Sequence, residues 1–406
     1  MSIAARKALN PDRLNTLTRA LHGYVERGEL PGILSLIWHQ GEVRHTVLAG
    51  WRDIESSTPI DQETIFRIAS MTKPVTSVAA LILVEEGKLR LDDPVGRWLP
   101  ELSEMKVIRL PGASVSDSRP ATRSILVRDL LTHRAGFTLP YLSSSPLDHA
   151  LRQFNDGFFP QGKSDDWIRR LGGLPLLFDP GSEWSYGFSM DVLGVLVERV
   201  LGRPFGSFLS DRLFQPLGMA DTAFSVPRSK LGRLASLYER GAEDAAPYSL
   251  KLADGSVASR WGREPEFASG GAGLVSTAGD YLKFARMLMQ RGKFGNHNIL
   301  SAKSVELMTT NHITRRQMKN RYFGDTTQEG DAFGLGLDLV QDLAAQDRYS
   351  SFGAFYMGGA YGTYCYISPS DDLIIITMTQ LVSAHRFVKT NQDSTTLTYQ
   401  ALDNES

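Results

Sequence analysis

Apolar residues recur with helical spacing at Leu14, Leu17, Leu21 and Val25, and Gly28 follows them, so the pattern predicts an opening helix over Pro11 to Arg27. From Gly32 to Ala49 the pattern changes to two short apolar runs, Ile33–Trp38 and Val43–Leu48. They are separated by His39-Gln40-Gly41-Glu42, which predicts two antiparallel strands joined by a hairpin turn. A second strand-rich region lies near the other end of the chain. Ser350 to Pro369 is dense in aromatic, glycine and β-branched residues, and the apolar run Leu373–Met378 follows across Pro369-Ser370-Asp371-Asp372. Between these regions Leu126–Leu131, Met190–Leu201, Ser207–Leu213 and Asp280–Gln290 carry helical patterning broken by Pro- and Gly-rich loops. The segment Arg109–Arg123 has loop composition. The expected fold is α+β, an α/β sandwich with an antiparallel sheet built from both chain ends (1–90 and 270–406), plus an inserted, mainly helical domain at 91–269.

Candidate chemistry sits where these elements meet. Ser70-Met71-Thr72-Lys73 follows the extended stretch Ile65–Ala69 and opens the helical run Val75–Glu86. Residues three apart on a helix share a face, so the Lys73 amine can reach the Ser70 hydroxyl. Pro74 is tolerated because first-turn amides have no intrahelical acceptor. The helix start favours a developing alkoxide on Ser70 and disfavours a protonated Lys73. A second element, Asp179–Gly194, places Tyr186 in a loop before a helix, where a phenol can share general acid-base work with a neighbouring amine. A third, Phe355–Tyr364, reads as a strand whose Gly358 and Gly359 permit close approach. There the Ala360 amide can pair with that of Ser70 as an oxyanion hole.

Taken in order, these segments resemble the serine β-lactamase and penicillin-binding protein superfamily, in its class C-like branch that includes the family VIII carboxylesterases. The resemblance also rests on Leu91-Asp92-Asp93-Pro94-Val95, Val127–Gly136, Pro180-Gly181 with Trp184-Ser185-Tyr186, Gly270–Thr277 and Gly358 through Gln380. It implies that Ser70 is the acylated nucleophile, that Lys73 and Tyr186 are its base system, and that Met357-Gly358-Gly359 stands in for the family's Lys-Thr-Gly. Two departures bear on substrate. Tyr-x-Asn appears as Tyr186-Gly187-Phe188, and the Lys of Lys-Thr-Gly is Met357, which removes a cation suited to a substrate carboxylate. Both disfavour peptidoglycan and efficient β-lactam turnover and favour a neutral, apolar ester. Phe188, Met357, Gly358, Gly359 and Tyr361, with Phe137 and Tyr141, are the expected substrate-binding residues. The implied activity is ester hydrolysis through an acyl-enzyme. Acyl transfer to a bound alcohol or amine, slow β-lactam cleavage and a non-catalytic scaffold are the alternatives.

Composition narrows the rest. Forty-four Lys and Arg against 45 Asp and Glu give no basic footprint for nucleic acid or an anionic membrane. Cys365 is the sole cysteine, which excludes an internal disulfide and fits a reducing compartment. Charged residues interrupt Met1–Leu21, and no run approaches the roughly 18 apolar residues of a membrane span. A cytoplasmic enzyme acting on a small-molecule ester is therefore expected, with no nucleic-acid or membrane partner. His133 tempts a triad assignment, but no G-x-S-x-G elbow accompanies it and no H-E-x-x-H spacing suggests zinc, so neither a cofactor nor a metal is expected.

Overall fold

The computed structural model describes residues 7–140, 144–241, 249–319, 331–382 and 388–404. Along the chain run α1 (Pro11–Glu26), β1 (Gly32–His39), β2 (Glu42–Asp53), β3 (Thr58–Pro59), β4 (Phe66–Arg67), α2 (Thr72–Glu85), α3 (Val127–Leu131) and α4 (Ser189–Leu201). They are followed by β5 (Val275–Ser276), α5 (Ala278–Met289), β6 (Asp331–Phe333), β7 (Asp338–Val340), β8 (Phe355–Gly359), β9 (Thr363–Ser368), β10 (Leu373–Met378) and α6 (Val388–Ala401). The sheet is antiparallel, in the order β6-β7-β8-β9-β10-β1-β2-β3, so strands from both ends of the chain meet where β10 pairs with β1.

Alternation along these strands explains the layers. In β1, Leu34, Leu36 and Trp38 face one cluster while Ile33 and Ile37 face the other. In β10, Ile374, Ile376 and Met378 join the first cluster, and Leu373 and Ile375 the second. Both strands are buried throughout, as continuous apolar runs require. Leu17 and Leu21 of α1 and Leu397 and Tyr399 of α6 cover one face. The other face packs on α2 and α5. The β1–β2 turn is the two-residue Gln40-Gly41, with φ 50° and 94°, the left-handed pair that matches the twist of a tight hairpin.

Several local expectations change on folding. Phe355–Tyr364 is a hairpin rather than one strand: β8 ends at Gly359, the Gly362 amide donates to the Gly359 carbonyl at 3.0 Å, and Ala360 sits on the turn. Ser118–Pro120, inside the expected loop, pairs with Lys106–Ile108 as a two-stranded ribbon. The span 91–269, expected to be mainly helical, also contains Leu237–Arg240. That segment pairs in parallel with Leu381–Val382, and Tyr238 is buried in the sheet-side cluster. Short polar-flanked strands such as this carry too little periodicity to be read from sequence. Among the described residues no helix is long and apolar enough to cross a membrane.

Because Ile376 lies in a central strand with no exposure, Ile376→Ala should lower unfolding free energy by about 2–5 kcal/mol. Urea denaturation of the two proteins measures it. A loss below about 1 kcal/mol would mean that this face of β10 is not packed as described.

Candidate active site

Ser70 lies on a single 3-10 turn, Ala69–Met71, that leads directly into α2. The turn is entered through Ala69 at φ 43°, a left-handed conformation that costs a non-glycine residue about 1–3 kcal/mol and redirects the chain from β4 into the helix. β4 is held outside the main sheet, paired with β5. Arg67, fully buried, ties β4 down by donating to the Ala235 carbonyl, Gln380 Oε1, Asp254 Oδ2 and Ser259 Oγ.

Two side chains converge on the Ser70 hydroxyl. Lys73 Nζ donates to Ser70 Oγ at 2.9 Å and to the Gly271 carbonyl at 2.6 Å, and Tyr186 OH donates to Ser70 Oγ at 2.7 Å. The Lys73 amine also lies 4.6 Å from the centroid of the Tyr186 ring. Lys73 is 3% exposed, and burial pushes its amine well below the ordinary lysine range, partly opposed by the negative charges of Asp191 and Asp338.

Tyr186 is fixed from three sides. The Ser185 amide donates to the His133 carbonyl at 3.0 Å, the His133 ring stacks on the phenol at 4.7 Å between centroids, and Gly187 lies so close to the Phe137 carbonyl that a Cβ there would collide with it. His133 adopts φ 54°, is fully buried, and among the described residues makes no hydrogen bond through either ring nitrogen. Burial, and then the charge of Lys73, hold its imidazole well below the usual histidine range, so the ring is neutral. This neutral stacking surface is no member of a triad.

The β8–β9 hairpin docks against the turn that carries Ser70. Thr363 Oγ1 donates to the Ile68 carbonyl at 3.1 Å, and a Cβ on Gly359 would stand 2.5 Å from that same oxygen. The hairpin turn therefore carries the Ala360 amide beside the start of α2. Met357 is 4% and Tyr361 7% exposed, and Gly358 and Gly359 are half-buried at the hairpin end. Phe188 and Phe137 are buried in the same apolar cluster as Met357. Phe188 is fully buried edge-to-face against Trp167, and Phe137 lies in the same core, because each is drawn into the apolar layer beneath α4. Tyr141 lies outside the described residues.

Sequence reasoning passed over Asp191, Ser269 and Gly271, which surround Lys73 from behind, and Phe158, Phe159 and Trp261, which form an aromatic wall with Tyr361. The signal for Asp191 was a lone acid in the apolar run Met190–Leu193; nothing in the sequence pairs Phe159 with Trp261. A cavity of about 450 Å³ opens beyond that wall, lined by the aromatic Phe159, Trp261 and Phe267 together with the charged Arg260, Glu264 and Glu266. Among the described residues no cluster of potential metal ligands occurs.

An antiparallel sheet covered by helices, with a serine at a helix start met by a lysine one turn on and a tyrosine from a separate loop, defines the β-lactamase/transpeptidase-like class. Within it, the chain belongs to the Beta-lactamase family, whose family model matches residues 17–399. It is 37% identical over 358 residues to Protein Rv1367c of Mycobacterium tuberculosis, covering 87% of both chains. Identity to Esterase EstB of Burkholderia gladioli is 29% over 365 residues, 86% of both chains. Among solved structures it superposes on EstCE1, a hydrolase with promiscuous acyltransferase activity, with a TM-score of 0.80, 25% identity, and coverage of 96% and 99%. For simvastatin synthase from Aspergillus terreus the values are 0.79, 25%, 96% and 98%.

The close approach at Gly359 generates a prediction. Gly359→Ala should push the hairpin off Ile68 and lower kcat for ester cleavage by about tenfold or more, since small displacements of reacting groups are costly, while far-UV circular dichroism stays unchanged. Wild-type kcat in the variant would mean that hairpin docking does not matter to the site.

Proposed function

We propose that this protein is a serine carboxylesterase in which Ser70 is the nucleophile, Lys73 and Tyr186 move its proton, and the Ser70 and Ala360 amides hold the oxyanion. The convergence of a buried amine and a phenol on one hydroxyl is the observation that carries this reading. Desolvation leaves Lys73 neutral enough to accept the Ser70 proton as Oγ attacks the ester carbonyl. The proton then reaches the leaving alkoxide by way of Tyr186, and the alcohol departs. Water enters, gives its proton to the same pair and releases the acid. Positive potential at the start of α2 favours the anionic intermediate.

A neutral, apolar ester suits the site. Met357 offers no cation for a substrate carboxylate, and the aromatic wall of Phe158, Phe159, Trp261 and Tyr361 borders the same turn that carries Ala360. Relatives named as an esterase and a lovastatin esterase support hydrolysis. Relatives named as methylbutanoyltransferases support a second reading, in which a bound alcohol replaces water at the acyl-enzyme. Slow β-lactam cleavage at most is expected. A reducing compartment, the cytoplasm, accords with the single buried thiol of Cys365.

Intact mass measurement after exposure to a fluorophosphonate should show one adduct on the wild type and none on Ser70→Ala, with p-nitrophenyl butyrate hydrolysis lost in parallel. An adduct on Ser70→Ala, or turnover by it, would overturn the assignment. With an added acceptor alcohol, ester product exceeding free acid would favour the transferase reading. The pH dependence follows from Lys73. Below its ionisation the amine is protonated and cannot accept the serine proton, so kcat/KM should rise with pH through a single step well below the ordinary lysine pKa of about 10.4. A pH-rate profile with its acid limb near that value would contradict a desolvated base.

A further inference from the structure

Asp191 is 3% exposed in the first turn of the apolar α4, where an unpaired carboxylate costs several kcal/mol to bury. Its surroundings show what it is used for. Oδ1 accepts from Ser269 Oγ at 2.5 Å and from the Gly271 amide at 3.1 Å, and the carbonyl of that same Gly271 accepts from Lys73 Nζ at 2.6 Å. The carboxylate lies flat against Gly271, where a Cβ would stand 2.5 Å from Oδ2, and Gly270 is pressed equally close to the Met190 carbonyl. Further bonds staple this loop to α2: Thr76 Oγ1 donates to the Gly270 carbonyl at 2.7 Å, and the Leu274 amide donates to Thr72 Oγ1 at 3.2 Å. The Ala272 amide closes the loop on Ser269 Oγ at 3.1 Å.

We propose that Asp191 is a positioning residue that acts through the Gly271 peptide to fix the Lys73 amine on Ser70 and supplies the buried negative charge facing it. The inference rests on the acyl-enzyme reading above. Gly271 serves as a one-peptide relay: its amide is held by Asp191, and its carbonyl, thereby oriented, takes one proton of the Lys73 amine and leaves the nitrogen directed at Oγ. Burial pushes the Asp191 carboxyl upward, opposed by the Ser269 hydroxyl, Lys73 and the Gly271 amide. Around Lys73 the other charged or titratable groups are Asp338, the Tyr186 phenol and the neutral His133. A carboxylate that only capped the loop would be replaceable by an amide of the same shape, whereas the proposal needs its charge.

The test is the pH dependence of fluorophosphonate labelling and of p-nitrophenyl butyrate hydrolysis in Asp191→Asn. Removing the negative charge leaves Lys73 easier to deprotonate, so the acid limb should move to lower pH. At the same time the plateau rate should fall by about tenfold or more as the amine loses its fixed direction. Ser269→Ala keeps the residue but removes the hydrogen bond that favours its ionised form, and should move the limb the same way by less; it decides the matter if Asp191→Asn fails to fold. Wild-type profiles in the folded variants would overturn the inference. Labelling that survives Ser70→Ala would instead overturn the acyl-enzyme reading beneath it, and the two failures are therefore distinct.

Discussion

An amine taken out of water loses several kcal/mol of hydration unless something in the protein replaces it, and the catalytic half of this molecule is arranged around the Lys73 amine. Three sources replace that hydration: the Ser70 hydroxyl, the Gly271 carbonyl and the face of the Tyr186 ring. Each comes from a different stretch of chain. The turn before α2 brings Ser70, the 269–274 loop brings Gly271, and the loop before α4 brings Tyr186. The requirement that all three arrive together explains why the glycines at 187, 270, 271 and 359 each face a neighbouring backbone or carboxylate oxygen that a side chain would displace.

Two residues adopt left-handed backbone for this geometry, Ala69 beside Ser70 and His133 beneath the Tyr186 phenol. The strain is held by bonds on either side. The Ile68 carbonyl is fixed by Thr363, and the His133 carbonyl by the Ser185 amide. Upstream of His133, the buried Asp129 accepts two bonds from Arg123 and one from the Leu126 amide, so the segment that presents the imidazole is itself anchored. The ordinary helix and sheet packing thus serves as the frame that makes a few unfavourable conformations stable.

Chemistry and selectivity are separable in this arrangement. In the proposed site the Ser70, Lys73 and Tyr186 geometry handles the acyl carbonyl, whereas Met357 and the aromatic wall around Trp261 offer apolar surface and no cation. Relatives named as an esterase and as a methylbutanoyltransferase show that one fold can serve either water or another acceptor.

The sequence by itself determined the central strands β1, β2 and β10, the helix that follows Ser70, and the Ser70–Lys73 pair, because each rests on short-range periodicity or on the three-residue spacing of one helical turn. Tyr186 was legible as well, though only through its neighbouring motif, since thirteen tyrosines share its chemistry. The tertiary structure alone decided that Phe188 packs edge-to-face on Trp167, that Ala360 lies on a hairpin turn, that Leu237–Arg240 crosses to the sheet side, and that Asp191 stands behind Lys73. Partnership between separated elements depends on how they pack, and no local pattern records which face of a buried aromatic or acid meets which distant loop.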